Sequence, residues 1–180
     1  MVSAWYYQDD SSDPRELHQY SPNREVTIGD LQRIGVIYFN FDVDTDGYMD
    51  KVNAFAKERD YKNRDIICVS KDKLPNYDEK LKMFFTEHLH DDEEIRFIID
   101  GTGFFDVRNE NDNWIRIHVA KSDLIILPIG IYHRFIPDTN DYIQAIRLFK
   151  DEPKWTPVNR GKEADEGQSR VNYLKSVITN

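Results

Sequence analysis

Three histidines and one glutamate form the pattern in this chain that is most suggestive of chemistry. His88 and His90 are one residue apart, Glu94 follows them, and His133 comes after a turn-rich stretch. Neutral imidazoles and a carboxylate make a mixed nitrogen and oxygen ligand set that suits a first-row transition metal. The pattern predicts a metal site, and the alternative for the His-x-His pair is a solvated acidic loop without a metal.

Strand geometry explains how these residues could meet. Side chains two residues apart in a strand point to the same face, so Glu94 and Arg96 would share the face of His88 and His90 in an extended segment. His133 follows the turn sequence Pro-Ile-Gly, so its strand can return alongside the first. We therefore expect a site carried by two neighbouring strands.

From residue 87 onwards the sequence has the pattern of an all-β fold. Turn-forming residues separate short apolar and aromatic runs, which predict strands over 95–99, 104–108, 114–119, 124–127, 131–135 and 142–149. Several short strands at this spacing indicate an antiparallel sandwich or barrel. The run 114–119 alternates between apolar and polar residues, so we expect Arg116 and His118 on an exposed face. We also expect His18 at the surface.

The two ends of the chain differ from this pattern. Thr27 and Asp30 have the spacing of a capping box, which predicts a short helix that stops at Gly35. Helical spacing recurs over 50–59 and 77–86, with strands at 36–41 and, buried, at 66–69. The last 22 residues are polar except for a final turn around 173–178. We expect one domain over 1–180: a mixed segment over 1–65, a barrel core over about 66–150 and an extension over 151–180.

Composition and charge narrow the class of protein. A net charge of −9 disfavours broad contact with the nucleic-acid backbone or with anionic lipid. Cys68 is the only cysteine, so no intrachain disulfide can form. The first ten residues do not have the pattern of a secretory signal, and the longest apolar run is too short and broken to insert into a membrane. We expect a monomeric cytoplasmic protein, and a nuclear pool is compatible with the sequence.

Two longer motifs resemble those of the cupin superfamily. The spacing H-x-H-x-x-x-E-x-x-x-x-x-x-G ends at Gly101 and resembles the first cupin motif, and P-x-G-x-x-H, from Pro128 to His133, resembles the second. The second motif usually begins with a glycine where this chain has Ser122, and it often ends with an asparagine where this chain has Pro137. These departures leave the four candidate ligands untouched.

A closer resemblance extends over nearly the whole chain. The segments K-D-K-L-P-N-Y, D-E-E-I-R-F, G-T-G-F-F-D-V-R, L-P-I-G-I-Y-H-R-F and R-L-F-K-D-E-P-K-W resemble eukaryotic acireductone dioxygenases. The resemblance implies a cupin-type antiparallel β-barrel (a double-stranded β-helix or jelly roll) with flanking helices. It also implies one Fe²⁺ or Ni²⁺ ion per chain, bound by His88, His90, Glu94 and His133.

The chemistry implied by the resemblance belongs to methionine salvage. The substrates would be O₂ and acireductone, which is 1,2-dihydroxy-3-keto-5-methylthiopentene. Iron would give 4-methylthio-2-oxobutanoate and formate, whereas nickel would give 3-methylthiopropionate, formate and carbon monoxide. Phe84 and Phe135 would lie near the substrate, and Arg96, Arg147 or both would hold its anionic part.

Several alternatives are compatible with the same residues. Each arginine could instead pair with a carboxylate such as Glu93 or Asp100, and the two phenylalanines could be simple core residues. Glu93 is also a candidate general base, although its strand parity points it away from Glu94. Two other functions fit this sequence less well. One is a zinc-dependent sugar-phosphate isomerase, which needs a basic phosphate-binding cluster that this acidic chain lacks. The other is a non-catalytic cupin that binds a ligand or a protein. A protein partner is permitted, but nothing in the sequence identifies one.

Overall fold

The structure is a computed structural model that describes residues 2–151 and 156–178. In these residues the strands are β1 Ser3–Tyr6, β2 Glu25–Val26, β3 Ile37–Asn40, β4 Asn63–Val69, β5 His88–Leu89, β6 Glu94–Arg108, β7 Trp114–Ala120, β8 Asp123–Leu127, β9 His133–Pro137, β10 Ile143–Phe149 and β11 Val158–Asn159. The helices are α1 Ile28–Arg33, α2 Tyr48–Glu58, α3 Tyr77–Phe85, α4 Lys162–Glu166 and α5 Gln168–Ile178.

The strands pair in an antiparallel system in which β6 belongs to two faces. Its first half pairs with β8 and β10, and these are flanked by β3 and β4. Its second half pairs with β7 and β9, beyond which lie β1 and β2 on one side and β5 and β11 on the other. The predicted antiparallel, mainly β architecture with flanking helices is therefore confirmed.

The predicted turn between 95–99 and 104–108 is wrong, because β6 continues through Gly-Thr-Gly. The strand bends at Gly101, where φ is 76°. Its register against β10 shifts between Gln144 and Ala145. A Cβ atom at Gly101 would lie 2.3 Å from the carbonyl oxygen of Tyr142, so the close approach as well as the backbone angle requires glycine. The glycine makes a corner that carries one strand from one face to the other.

Alternation along the shared strands divides their side chains between two apolar clusters. The interior between the two faces contains Ile98, Phe105, Val107, Ile117, Val119, Ile125, Leu127, Ile143 and Ala145. The opposite side contains Ile95, Phe97, Leu124, Ile126, Ile146 and Leu148, which pack against the predicted apolar face of α2. Glu94, Arg96 and Arg147 have the parity of the interior set, so the fold directs three charged side chains inward.

The N-terminal elements confirm one prediction and correct another. The capping box of α1 is present: Asp30 N donates to Thr27 Oγ1, and Thr27 N donates to the Asp30 carboxylate. The strand predicted as buried at 66–69 is longer and lies at an edge, since β4 pairs only with β10 among the described strands. Ile66 is consequently 60% exposed.

Two polar residues predicted at the surface are buried. Arg116 is 0% exposed and His18 is 5% exposed, whereas His118 is partly exposed. The cause is the N-terminal segment, which lies across the polar side of β7 so that Arg116 Nη1 donates to the carbonyl oxygen of Pro14 at 2.9 Å. Apolar and polar residues do alternate along β7, but other parts of the chain cover both faces of this strand.

Two local features of the barrel ends bear on the motifs. Ser122, in place of the usual glycine, has φ 80°, and its hydroxyl accepts a hydrogen bond from Val43 N at 3.1 Å. The C-terminal residues 158–178 form a short strand and two helices rather than a single turn. Tyr173 anchors them by donating from its hydroxyl to Ile34 O at 3.0 Å.

None of the helices in the described residues is long and apolar enough to cross a membrane. The domain boundaries stay a prediction, and residues 152–155 of the last family-like motif lie outside the described residues.

Candidate metal centre and substrate cavity

The four predicted ligands lie together at one end of the interior. His88 on β5 pairs directly with His133 on β9, and Glu94 is the first residue of β6. One nitrogen of each of the three histidines and one oxygen of Glu94 all lie within 4.8 Å of one another. The expectation of one extended segment and two neighbouring strands is wrong, because the chain bends at 91–92 between β5 and β6. The site is built from three strands, with β9 between β5 and β6, and His90 lies in the connection between β5 and β6.

Backbone carbonyls select the nitrogens that face this cluster. Nδ1 of His88 lies 2.6 Å from Thr86 O, and Nδ1 of His133 lies 3.0 Å from Ile131 O. A proton on each Nδ1 can be donated to that carbonyl, which leaves the lone pair of Nε2 for a metal. This is the arrangement by which outer partners commonly fix the tautomer of a histidine ligand.

The ligand separations fit a shared ion. Oε2 of Glu94 lies 3.2 Å from Nε2 of His90 and 3.4 Å from Nε2 of His133. Two ligands about 2.1 Å from a metal and at right angles to each other are about 3.0 Å apart. Buried side-chain nitrogens without a hydrogen-bond partner are few among the described residues, and two of the three belong to His90 and His133. The orphaned atom of His133 is Nε2, which faces Glu94, and a cation at this point would give it the partner that burial otherwise denies it; the orphaned atom of His90 is Nδ1, on the other side of that ring.

The protonation states also suit metal binding, which requires neutral imidazoles and an ionised carboxylate. Burial, reinforced by neighbouring His133, lowers the pKa of His88 to about 4. Burial alone would raise the pKa of Glu94, but the Arg96 guanidinium and the neighbouring imidazoles outweigh it and hold that pKa well below its usual range. His88 is therefore neutral and Glu94 ionised at neutral pH.

A cavity of about 110 Å³ opens directly onto the cluster. One water needs roughly 10–15 Å³ on this measure, so the space accommodates a small organic molecule. All four predicted substrate residues, Arg96, Arg147, Phe84 and Phe135, line it. The cavity is otherwise lined by Ile67, Val69, Met83, Ile98, Phe105, Ile143, Ala145 and Pro157.

The sequence could have revealed some of these additional lining residues. Ile143 and Ala145 alternate with Arg147 along β10, so the parity that placed Arg147 inside also places them there. Met83 and Pro157 carry no comparable signal, because they reach the cavity from a helix and from a non-regular segment.

Arg96 and Arg147 lie directly opposite each other on β6 and β10. Nε and Nη2 of Arg147 donate to the two carboxylate oxygens of Asp65, each at 2.7 Å. Nη2 of Arg96 lies 3.3 Å from Oε1 of Glu94. The alternative interpretation was right that both arginines have carboxylate partners, but the partners are Asp65 and Glu94. Asp65 itself was missed, because its partner is distant in sequence.

Glu93 lies on the other side of the strand and does not line the cavity. Its carboxylate accepts a hydrogen bond from the hydroxyl of Tyr61 at 2.9 Å, and Nζ of Lys150 is 3.3 Å away. Glu93 therefore pairs with neither cavity arginine, and the geometry does not support it as a general base.

The two predicted aromatic residues are both core and cavity wall. The rings of Phe84 and Phe135 meet edge to face with centroids 6.3 Å apart, and Phe135 also packs on Phe105 at 4.9 Å. Both side chains join the periphery of the interior apolar cluster. They therefore belong to the core and to the cavity wall at the same time.

Comparisons with known proteins agree with the fold and the site. The sequence model of the ARD/ARD' family matches residues 3–157. An acireductone dioxygenase of Sclerotinia sclerotiorum is 53% identical over 98% of this chain and 97% of its own length. One of Rattus norvegicus is 50% identical over 97% of each chain. These relatives favour an oxygenase over the isomerase and the non-catalytic alternatives.

A solved structure confirms the predicted cupin-type fold. It is an acireductone dioxygenase from Bacillus anthracis with a cadmium ion in its active centre, and its TM-score with this chain is 0.71. The two are 24% identical, and the match covers 88% of this chain and 98% of that one. Taken with the full-length relatives and the family match, the ligand cluster and its cavity lead to one conclusion: this chain belongs to the acireductone dioxygenase (ARD/ARD') family.

Proposed function

We propose that this protein is an acireductone dioxygenase that binds one Fe²⁺ or Ni²⁺ ion through His88, His90, Glu94 and His133. The observation that carries the proposal is that this ligand set opens onto a small cavity. It does so in a chain 50–53% identical to acireductone dioxygenases along nearly its whole length. When bound, the ion supplies Lewis-acid stabilisation of an enediolate and orients it for reaction with O₂.

The charge of the cavity fits a doubly deprotonated substrate. The guanidiniums of Arg96 and Arg147 are balanced by the carboxylates of Glu94 and Asp65. Against this balance among the described residues, a bound divalent ion would add two positive charges, which an enediolate dianion would neutralise. We propose that the two arginines hold the substrate oxygens at this charged end, since hydrogen bonds between ionised partners are the stronger kind.

The apolar part of the cavity lining suits an uncharged tail. Its walls are supplied by Phe84 and Phe135, together with aliphatic side chains from β4, β6 and β10. We propose that these walls accept the methylthio end of the acireductone and keep water from the charged end, where exclusion of water strengthens every electrostatic contact.

The identity of the products depends on the ion. We propose 4-methylthio-2-oxobutanoate and formate with iron, and 3-methylthiopropionate, formate and carbon monoxide with nickel, as part of methionine salvage. A monomeric state and a cytoplasmic location with a nuclear pool stay predictions from the sequence.

Anaerobic metal loading followed by product analysis tests the proposal. Metal-free protein would be charged with Fe²⁺ or Ni²⁺, mixed with acireductone and then exposed to O₂, with carbon monoxide and the keto acid measured separately. His133→Ala, loaded in the same way, should be inactive, and His118→Ala should be active because His118 lies outside the cluster. Absence of substrate consumption by the wild-type protein loaded with either metal would contradict the proposed function.

A further inference from the structure

The C-terminal segment, defined as residues 158–178, touches the chain next to each of the three histidine ligands. At His88 the contact is a strand pairing, in which Asn159 of β11 lies opposite His88 of β5. Arg160 continues it, because its backbone N donates to Glu87 O at 3.0 Å and its Nη1 donates to the Glu87 carboxylate at 2.7 Å. The segment therefore fixes the strand that carries the first ligand.

The contact at His90 comes from the first turn of α5. The hydroxyl of Ser169 donates to the carboxylate of Asp91, the residue after His90, at 2.6 Å. The carbonyl oxygen of His90 accepts a hydrogen bond from Gly130 N at 3.1 Å, which joins this bend to the loop before His133. The second ligand is thus held between α5 and the loop of the third.

The contact at His133 includes a buried arginine of the segment. Arg170, 8% exposed, donates from Nη1 to Gly130 O at 3.1 Å. Tyr132, the residue before His133, donates from its hydroxyl to the carboxylate of Asp165 at 2.7 Å. The guanidiniums of Arg160 and Arg170 both contact its ring, at 4.9 and 4.4 Å from the ring centroid. The third ligand is anchored from both α4 and α5.

No space separates α5 from the loop that precedes His133. Gly130 has φ 80°, and a Cβ atom there would lie 2.3 Å from the carbonyl oxygen of Ser169 and 2.7 Å from its carbonyl carbon. Two backbones are therefore in direct contact, and movement of α5 must be transmitted to Gly130 and its neighbours.

We propose that the C-terminal segment is a positioning device for the metal centre, in which Ser169 and Arg170 act as positioning residues for His90 and His133. The inference rests on the metal site of the proposed function and adds a role for a part of the chain that begins where the family match, residues 3–157, ends. The physical reason is preorganisation: ligands already held in place bind an ion more tightly than ligands that must be ordered on binding. Metal binding and docking of α5 must then favour each other to the same extent.

The metal affinities of point variants test this inference without any measurement of catalytic activity. The dissociation constant for Ni²⁺ would be measured by competition with a chromogenic chelator. Ser169→Ala and Arg170→Met should raise it about 10-fold, the lower end of the effect of outer-shell changes on metal affinity. Ser176→Ala, the same substitution two turns later, should leave it within about twofold, since that hydroxyl donates to Tyr173 O within the helix. Arg170→Lys should recover part of the affinity, because an ammonium can still donate to Gly130 O.

A pair of glycine variants separates positioning from general destabilisation. Gly130→Ala and Gly101→Ala both place a Cβ at positive φ and 2.3 Å from a backbone oxygen, so both should lower the melting temperature. Only Gly130→Ala should also weaken Ni²⁺ binding under conditions in which both variants are folded. In the wild type, Ni²⁺ should slow amide hydrogen exchange in 162–178, and this slowing should be smaller in Gly130→Ala.

Three results would overturn the inference. Ni²⁺ affinities of Ser169→Ala and Arg170→Met within twofold of the wild type would do so, as would equal weakening by Gly130→Ala and Gly101→Ala. In either case a wild-type protein that binds Ni²⁺ and consumes acireductone would leave the proposed function intact. A wild-type protein that binds no divalent ion would remove the proposed function and this inference together.

Discussion

Replacing Asp106 by asparagine should destabilise this fold by about 3–5 kcal/mol. Asp106 is 1% exposed, and its two oxygens accept from Nε and Nη2 of Arg116 at 2.8 and 2.9 Å and from Nε of Arg134 at 2.8 Å. Asparagine preserves the shape but leaves two guanidiniums without a counter-charge, one of them 0% exposed. Removing one partner of a buried ion pair typically has this cost.

The cost corresponds to a fall in melting temperature of about 6–20 °C, at about 2–4 °C per kcal/mol for a chain of this size. The rings of Tyr7 and Phe104, each 4.5 Å from the Arg116 guanidinium, remain in the variant and favour the lower half of that range.

Urea and thermal unfolding of metal-free protein would measure the effect. Asp44→Asn is the matched control, because it breaks an exposed pair with Lys121 and should cost less than about 1 kcal/mol. An Asp106→Asn variant within 1 kcal/mol of the wild type would refute the reasoning, since it would mean that the buried guanidiniums do not depend on the carboxylate.

Further outcomes are expected. Elemental analysis should find His88→Ala depleted of metal and His118→Ala fully loaded; equal retention would mean that the ligands are misassigned. Removing the metal from wild-type protein with EDTA should lower its melting temperature by about 5–11 °C, because a ligand at 100 times its Kd stabilises by about 2.7 kcal/mol; His88→Ala should show no such shift. Arg147→Met should keep its metal but lose about 10- to 100-fold in kcat/KM with acireductone, and a loss below threefold would argue against contact with the substrate. Phe97→Ala, at a side chain with no exposed surface, should cost about 3–5 kcal/mol in urea unfolding, and a cost below 1 kcal/mol would contradict tight packing under α2.

Local periodicity was sufficient to predict which charged side chains of β6 and β10 point inward, but not the bend at 91–92 that separates His88 and His90 from Glu94. Because β6 is regular at its start, residue types two apart revealed that Glu94 and Arg96 share a side, and the same rule placed Arg147 inside β10. The carboxylate partner of Arg147 could not be predicted from strand periodicity. Asp65 comes to it through a strand pairing between residues more than seventy positions apart, and nothing in the sequence around either residue specifies that register.

The wrong predictions for the Gly-Thr-Gly turn and for the exposure of Arg116 have one physical cause. In both cases a distant part of the chain bends or covers the strand. Gly-Thr-Gly has turn chemistry, but whether a positive-φ glycine ends a strand or bends it depends on the neighbour, here the backbone of Tyr142. Arg116 has the sequence signature of a solvent-facing residue and becomes buried only because the segment before His18 folds over it. Burial by a distant segment is a tertiary property, and alternation alone cannot show it.

The pairing of the strands also has a consequence for how the protein is made. β5, which carries His88, lies between β9 and β11, and β1 and β4 pair with strands that follow much later in the chain. A nascent chain that has reached residue 130 would already contain three of the four ligands but could not close the cluster. Because the ligands come from strands that pair over such distances, assembly of the metal site depends on folding of the barrel and not on one local segment of the chain. The full set of four ligands is therefore available to an ion only after β5, β6 and β9 have paired.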